Sequence, residues 1–139
     1  MIIADTDIVS ELMRPDPAKS VLTWAAGIGP GQLAITVVTI TEIEYGLARL
    51  PEGRRRSDLV TKWRQVLNAY PDKLLTYGVQ AASEAAGILA ERDRTGRPMS
   101  LADAQIAGIC RVCSASLATH NTKDFIGLGL DLIDPFQGI

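Results

Sequence analysis

Five short apolar runs punctuate this chain, and they constrain its fold more than any other feature. They are Met1–Ala4 (MIIA), Leu33–Val38 (LAITVV), Leu74–Tyr77 (LLTY), Ser116–Thr119 (SLAT) and Leu130–Ile133 (LDLI). Each has the length of a strand and is apolar nearly throughout, so both of its faces need cover. Helical patterns fill the intervals: Ile8–Met13, Ala18–Ala26, Thr39–Leu50, Glu52–Tyr70, Val79–Arg94 and Ser100–Cys113. Apolar residues recur at helical spacing within them, as in Val21, Leu22 and Ala25; Ile40, Ile43, Leu47 and Leu50; and Leu59, Trp63, Val66, Leu67 and Tyr70. Pro51 and the turn GRP (96–98) punctuate the later helices, and GIGPG (27–31) reads as a loop. Strands alternating with helices predict an α/β fold: a three-layer α/β/α sandwich around a short, mainly parallel sheet.

At 139 residues the chain reads as a single domain over 1–139, without repeat, linker or low-complexity tract. Apolar residues make up 47% and charged residues 22%, which excludes disorder, and the formal charge of −2 excludes a globally basic nucleic-acid binder but not a local basic patch. No run approaches the ~18 apolar residues of a membrane span. The first apolar run lacks a preceding Lys or Arg, so no signal peptide is expected. Two cysteines, Cys110 and Cys113, do not make a disulfide scaffold, and a reducing cytoplasm is the expected location.

Acidic residues stand where the strands end. The first run passes straight into Asp5-Thr6-Asp7, and in an extended chain residues i and i+2 share a side. Glu42 follows the second strand, Asp103 opens an apolar helix and Asp124 follows the fourth strand. Helix capping explains each singly: Thr39-x-x-Glu42, Ser100-x-x-Asp103 and Asn121-x-x-Asp124 all have capping-box spacing. Location favours a shared role, because ligands bind an open parallel sheet at the carboxyl ends of its strands.

Two carboxylates about 4 Å apart repel by about 4 kcal/mol at an effective dielectric of about 20. Several in one cleft therefore hold protons or a cation. An all-oxygen site suits Mg²⁺ or Mn²⁺ rather than zinc. Such an ion acidifies a bound water and neutralises charge growing on a phosphate, which points to phosphodiester hydrolysis.

The stretches IADTDIVSEL (3–12), TITEIEYGLARLPEGRRR (39–56), GRPMSLADAQIAGICR (96–111) and ATHNTKDFIGLGLDLIDP (118–135) together resemble PIN-domain ribonucleases of the VapC toxin family, in its FitB-like, plasmid-stability branch. The resemblance implies a Mg²⁺-dependent endoribonuclease with an acidic pocket of Asp5, Glu42, Asp103 and Asp124, a homodimer, and a cognate antitoxin that blocks the site in a higher assembly. In this reading Asp5 and Asp103 ligate the metal directly, Glu42 and Asp124 act through water, and Thr6 and Asn121 match supporting polar positions. Two positions depart from the family's habit: Asp7 stands where Asn is usual, and His120 where Arg is usual.

Arg49, Arg54, Arg55 and Arg56 form the one basic cluster and are candidate RNA contacts, a solvated helix face being the competing explanation. His120, the sole histidine, is a candidate for RNA contact or proton transfer. Trp24 and Trp63 fall at core spacing. Cys110-x-x-Cys113 lacks the partners of a zinc site, and GIGPG lacks the dinucleotide-binding spacing. Two other functions compete. A receiver-like phosphoacceptor domain also carries an acidic pair after its first strand, but LLTY offers no acceptor Asp. A non-catalytic RNA- or protein-binding module would be signalled by loss of one of the carboxylates.

Overall fold

The computed structural model describes residues 1–69 and 73–137. Its elements in order are β1 (Ile2–Ala4), α1 (Thr6–Leu12), α2 (Lys19–Ala26), β2 (Leu33–Thr36), α3 (Val37–Ala48), α4 (Arg54–Ala69), β3 (Leu74–Leu75), α5 (Val79–Arg94), α6 (Leu101–Cys113), β4 (Ser116–Ala118) and β5 (Leu132–Ile133). Single 3-10 turns cover Thr122–Phe125 and Pro135–Gln137. Tyr70, assigned to the α4 stripe from sequence, lies outside the described residues.

The five strands form one sheet in the order β3-β2-β1-β4-β5, and every pair is parallel. β1 is central: Ile3 sits opposite Ala34 of β2 and Leu117 of β4. The chain first builds outward from β1 on one side, then returns to build β4 and β5 on the other. The carboxyl ends of β1 and β4 therefore flank the point where the winding reverses. This order also differs from the 2-1-3-4-5 order of receiver domains, which removes the receiver reading.

Strand alternation divides the interior in two. Ile3, Ala34 and Leu117 point to one core, with Ala85 and Ile88 of α5, Ile106 and Ile109 of α6, and Phe125. Ala4, Leu33, Ile35 and Ala118 point to the other, with Ile8 of α1, Val21 of α2, Ile43 and Leu47 of α3, and Trp63 of α4. Each fully buried Ile or Leu contributes about 1.5–3 kcal/mol. Helices cover both faces, so the three-layer α/β/α reading holds. α5 and α6 approach closely because Gly108 packs on the α5 backbone; a Cβ there would stand 2.5 Å from the Ala81 carbonyl oxygen.

Four local readings are corrected. The second strand ends at Thr36 rather than Val38, and Thr36 Oγ1 accepts from Thr39 N at 3.2 Å. Thr36 is thus the cap of α3, and Thr39 and Glu42 lie inside the helix rather than forming a capping box. At Asn121-x-x-Asp124 the Asn side chain makes no cap; Asp124 N donates to the Asn121 carbonyl instead. Leu22, assigned to the buried stripe of α2, is 46% exposed. Ser100 does cap α6, accepting from Asp103 N at 3.1 Å.

Candidate active site at the carboxyl edge of the sheet

Asp5 is the residue after β1 and the N-cap of α1. Its Oδ1 accepts from Thr6 N at 2.8 Å and its Oδ2 from the Thr119 hydroxyl, just past β4, at 2.8 Å. It is 5% exposed. Burial, then the neighbouring charge of Asp7, pushes its pKa up to about 7, with Asp103 adding to the rise and the hydrogen bonds from Thr119 and Thr6 opposing it. Asp5 and Asp7 do not meet through strand alternation, because the strand ends at Ala4 and Asp7 already lies in the first turn of α1.

Asp7 instead ties α1 to the segment after β4. Its Oδ2 accepts from His120 N at 3.0 Å and from Asn121 Nδ2 at 3.4 Å. Its Oδ1 is buried and finds no hydrogen-bond partner among the described residues. Burial raises its pKa, opposed by the His120 and Ile8 amides.

Glu42 faces the same place from the second turn of α3. The Thr6 hydroxyl donates to its Oε1 at 2.6 Å, and Thr39 Oγ1 lies 3.0 Å from that hydroxyl. Asp103 sits in the first turn of α6, where the positive end of the helix favours an anion. Burial raises its pKa, followed by the charges of Glu42, Asp124 and Asp7, while Ser100 opposes. Asp124 lies exposed on the 3-10 turn after β4. The five carboxyls thus belong to one electrostatic neighbourhood: Asp5 feels Asp7 and Asp103, and Asp103 feels the other three.

Among the described residues, no three His, Cys, Asp or Glu side chains stand close enough to cage a metal ion as they are placed. The donor set nevertheless fits a hydrated one. Mg²⁺ takes one or two direct carboxylates and keeps several waters, and the unpartnered Asp7 oxygen and the strained ionisation of Asp5 are conditions that a cation relieves.

A groove of about 1310 Å³ runs from this cluster between α1, α3 and α4. Its lining includes Thr6, Asp7 and Glu42, the apolar Ile43, Leu47 and Leu59, the basic Arg54, Arg55 and Lys62, and the acidic Glu11 and Asp58. Arg54 and Arg55 of the basic cluster therefore share a cleft with the acids. Arg49 does not line it; its guanidinium lies 5.3 Å from the Tyr45 ring centroid. Arg56 does not line it either. The His120 ring is occupied by Phe136, 4.3 Å between centroids, and by Asp134, 3.3 Å from Nδ1. Asn121 adjoins the site through Asp7 and through Thr119, whose hydroxyl accepts from its backbone N–H. Cys110 is buried and its thiol is pushed up to about 12 by burial, which leaves it inert. Trp63 is buried in the second core and donates Nε1–H to Glu44 at 2.9 Å; Trp24 packs at that core's margin.

Sequence reasoning did not single out Thr119; it treated Thr39 only as a helix cap, and Asp7 as half of the acidic pair after β1 and as a departure from the family's habit, without its ties to His120 and Asn121. Nothing local marks Thr119 as the partner of a residue 114 positions away.

A parallel α/β/α sandwich with acidic residues just past the carboxyl ends of β1 and β4 places the chain among α/β proteins with a site at the sheet edge. The PIN-domain family description matches residues 2–128, and the chain belongs to that family. It is 30% identical over 138 residues to the VapC ribonuclease Y4jK of Sinorhizobium fredii, covering 99% of each chain. It is 26% identical over 138 residues to the toxin FitB of Neisseria gonorrhoeae, again covering 99% of each. The crystal structure of FitAcB from N. gonorrhoeae superposes with a TM-score of 0.90 at 26% identity, covering 98% of this chain and 99% of that one.

Proposed function

We propose that this chain, as one PIN domain over residues 1–139, is a divalent-metal-dependent endoribonuclease and the toxin of a type II toxin–antitoxin pair. The observation that supports the reading is the placement of Asp5 after β1, Glu42 on α3 bonded through Thr6, Asp103 at the start of α6 and Asp124 after β4, with Asp103 raised first by burial and then by the charges of Glu42 and Asp124. Relatives named as a ribonuclease and a toxin along the whole chain support it.

Asp5 and Asp103 would hold Mg²⁺ or Mn²⁺ directly, with Glu42 and Asp124 acting through water. Bound there, such an ion would supply a more acidic water and neutralise charge on the phosphate. The protein's own part is placement. Thr6 fixes the Glu42 carboxylate, and Thr119 fixes that of Asp5. Asp124, exposed and without a side-chain hydrogen bond among the described residues, orients the attacking water. Arg54 and Arg55 draw phosphates along the groove toward a cluster that otherwise repels them. The protein works as a homodimer in the cytoplasm, restrained by a cognate antitoxin protein in a larger assembly. No described helix is long and apolar enough to cross a membrane.

Purified protein should cut single-stranded RNA in Mg²⁺ and stop in EDTA. Asp5→Asn and Asp103→Asn should each abolish cutting. Undiminished cleavage by either variant, or cleavage in EDTA, defeats the assignment, and RNA binding without cleavage by the wild type favours the non-catalytic module.

A further inference from the structure

Arg92, in the last turn of α5, is buried at 6% exposure, and it forms no ion pair with any described carboxylate. A buried guanidinium without an anion needs strong hydrogen bonds to replace its lost water. It finds them on one short segment. Arg92 Nη2 donates to the carbonyl oxygens of Asp124 and Ile126, each at 2.9 Å. These carbonyls flank Phe125, which is itself buried at 1% exposure. One nitrogen with two hydrogens thus fixes the backbone on either side of a core anchor.

The segment needs such a restraint. Asp124 rides a four-residue 3-10 turn, whereas Asp103 rides a helix and Asp5 caps one directly after the central strand. Beyond it, Gly127 and Gly129 adopt positive φ of 86° and 76°, and no helix or strand covers the described chain before β5. Arg111 of α6 clips the same connection further on, through the Leu128 carbonyl at 3.1 and 2.9 Å.

We infer that Arg92 is a positioning residue of the acidic site: its bonds to the Asp124 and Ile126 carbonyls hold the Asp124 carboxylate in register with Asp103. The inference rests on the metal-site reading above. Arg92 touches neither substrate nor metal; it acts through the backbone that carries Asp124. Groups that orient metal-site residues in this way change metal affinity or activity by about 10–100-fold when removed.

The test measures Mn²⁺ affinity of the full-length protein by electron paramagnetic resonance, with melting temperature and the kinetics of RNA cleavage alongside. Arg92→Met should weaken Mn²⁺ binding by about tenfold and lower kcat by a similar factor, leaving KM for RNA within about twofold. Arg92→Lys, which keeps the charge and regains part of the reach, should recover part of both losses. Arg111→Met is the structural control: it should lower the melting temperature while leaving Mn²⁺ affinity within about twofold of wild type. Should Arg92→Met fail to fold, Arg92→Lys decides, with an expected weakening of about threefold against Arg111→Lys. Equal Mn²⁺ affinity for the Arg92 and Arg111 variants overturns the inference. Asp124→Asn separates the two layers: if it leaves Mn²⁺ binding and cleavage intact, the metal-site reading and the inference fall together. If it impairs both while the Arg92 variants do not, the inference alone falls.

Discussion

Replacing Asp5 by Asn should make the metal-free protein more stable at pH 8, not less. The folded protein holds the Asp5 carboxyl at about 7 against an ordinary 3.8. Keeping it ionised at pH 8 therefore costs the fold about 4 kcal/mol. Asn removes that cost and keeps the shape. Its Oδ1 still accepts from Thr6 N, but its Nδ2 meets the Thr119 hydroxyl, which already accepts from Asn121 N. Weakening that contact returns about 2 kcal/mol, leaving a net gain of about 2 kcal/mol, or about 7 °C in Tm for a chain of this length. Between pH 3.8 and about 7 folded Asp5 binds more protons than unfolded Asp5, so this residue's contribution makes wild-type stability fall as pH rises through that window and level off above it. The variant loses that part of the slope. Urea unfolding in EDTA should show the variant about 2 kcal/mol less stable than wild type at pH 4, where only the weakened Thr119 contact counts, and the difference reversing sign toward pH 8. Saturating Mg²⁺ should then close the gap, since only the wild type gains binding energy from the ion. A variant that is less stable than wild type at pH 8 in EDTA, or a difference of the same sign and size at both pH values, refutes the reasoning.

Asp7→Asn should move the midpoint of the wild-type stability-against-pH curve downward, because the Asp7 charge is the second cause of the high Asp5 value; urea melts across pH 4–8 in EDTA read it. Thr6→Val removes the donor that fixes Glu42 at 2.6 Å but keeps the backbone bond to Asp5, and should lower RNA cleavage by about tenfold with Tm nearly unchanged. Gly108→Ala drives a Cβ to 2.5 Å from the Ala81 carbonyl. It should cost about 2 kcal/mol after the gain in helix propensity, measured by thermal melts.

The three-layer architecture was legible because each strand is apolar on both faces and each helix carries one stripe; α5 was read at its observed bounds, Val79–Arg94. Helix starts were harder. Thr36-Val37-Val38 is β-branched throughout and reads as strand, yet the Thr36 hydroxyl captures Thr39 N and starts α3 there. Leu22 fits a helical stripe by spacing, but spacing does not say how wide a face the neighbours will cover.

The sequence by itself determined the kinds of element, their alternation, and the presence of carboxylates at strand ends, since periodicity and capping are local physics. Only the tertiary structure decided which distant groups meet: Thr119 on Asp5, Thr6 on Glu42, His120 N–H on Asp7, and Arg92 beneath Asp124. Those contacts follow from sheet order and winding. A parallel sheet brings segments more than 100 residues apart to one edge, and no short-range pattern records which strand will lie beside β1.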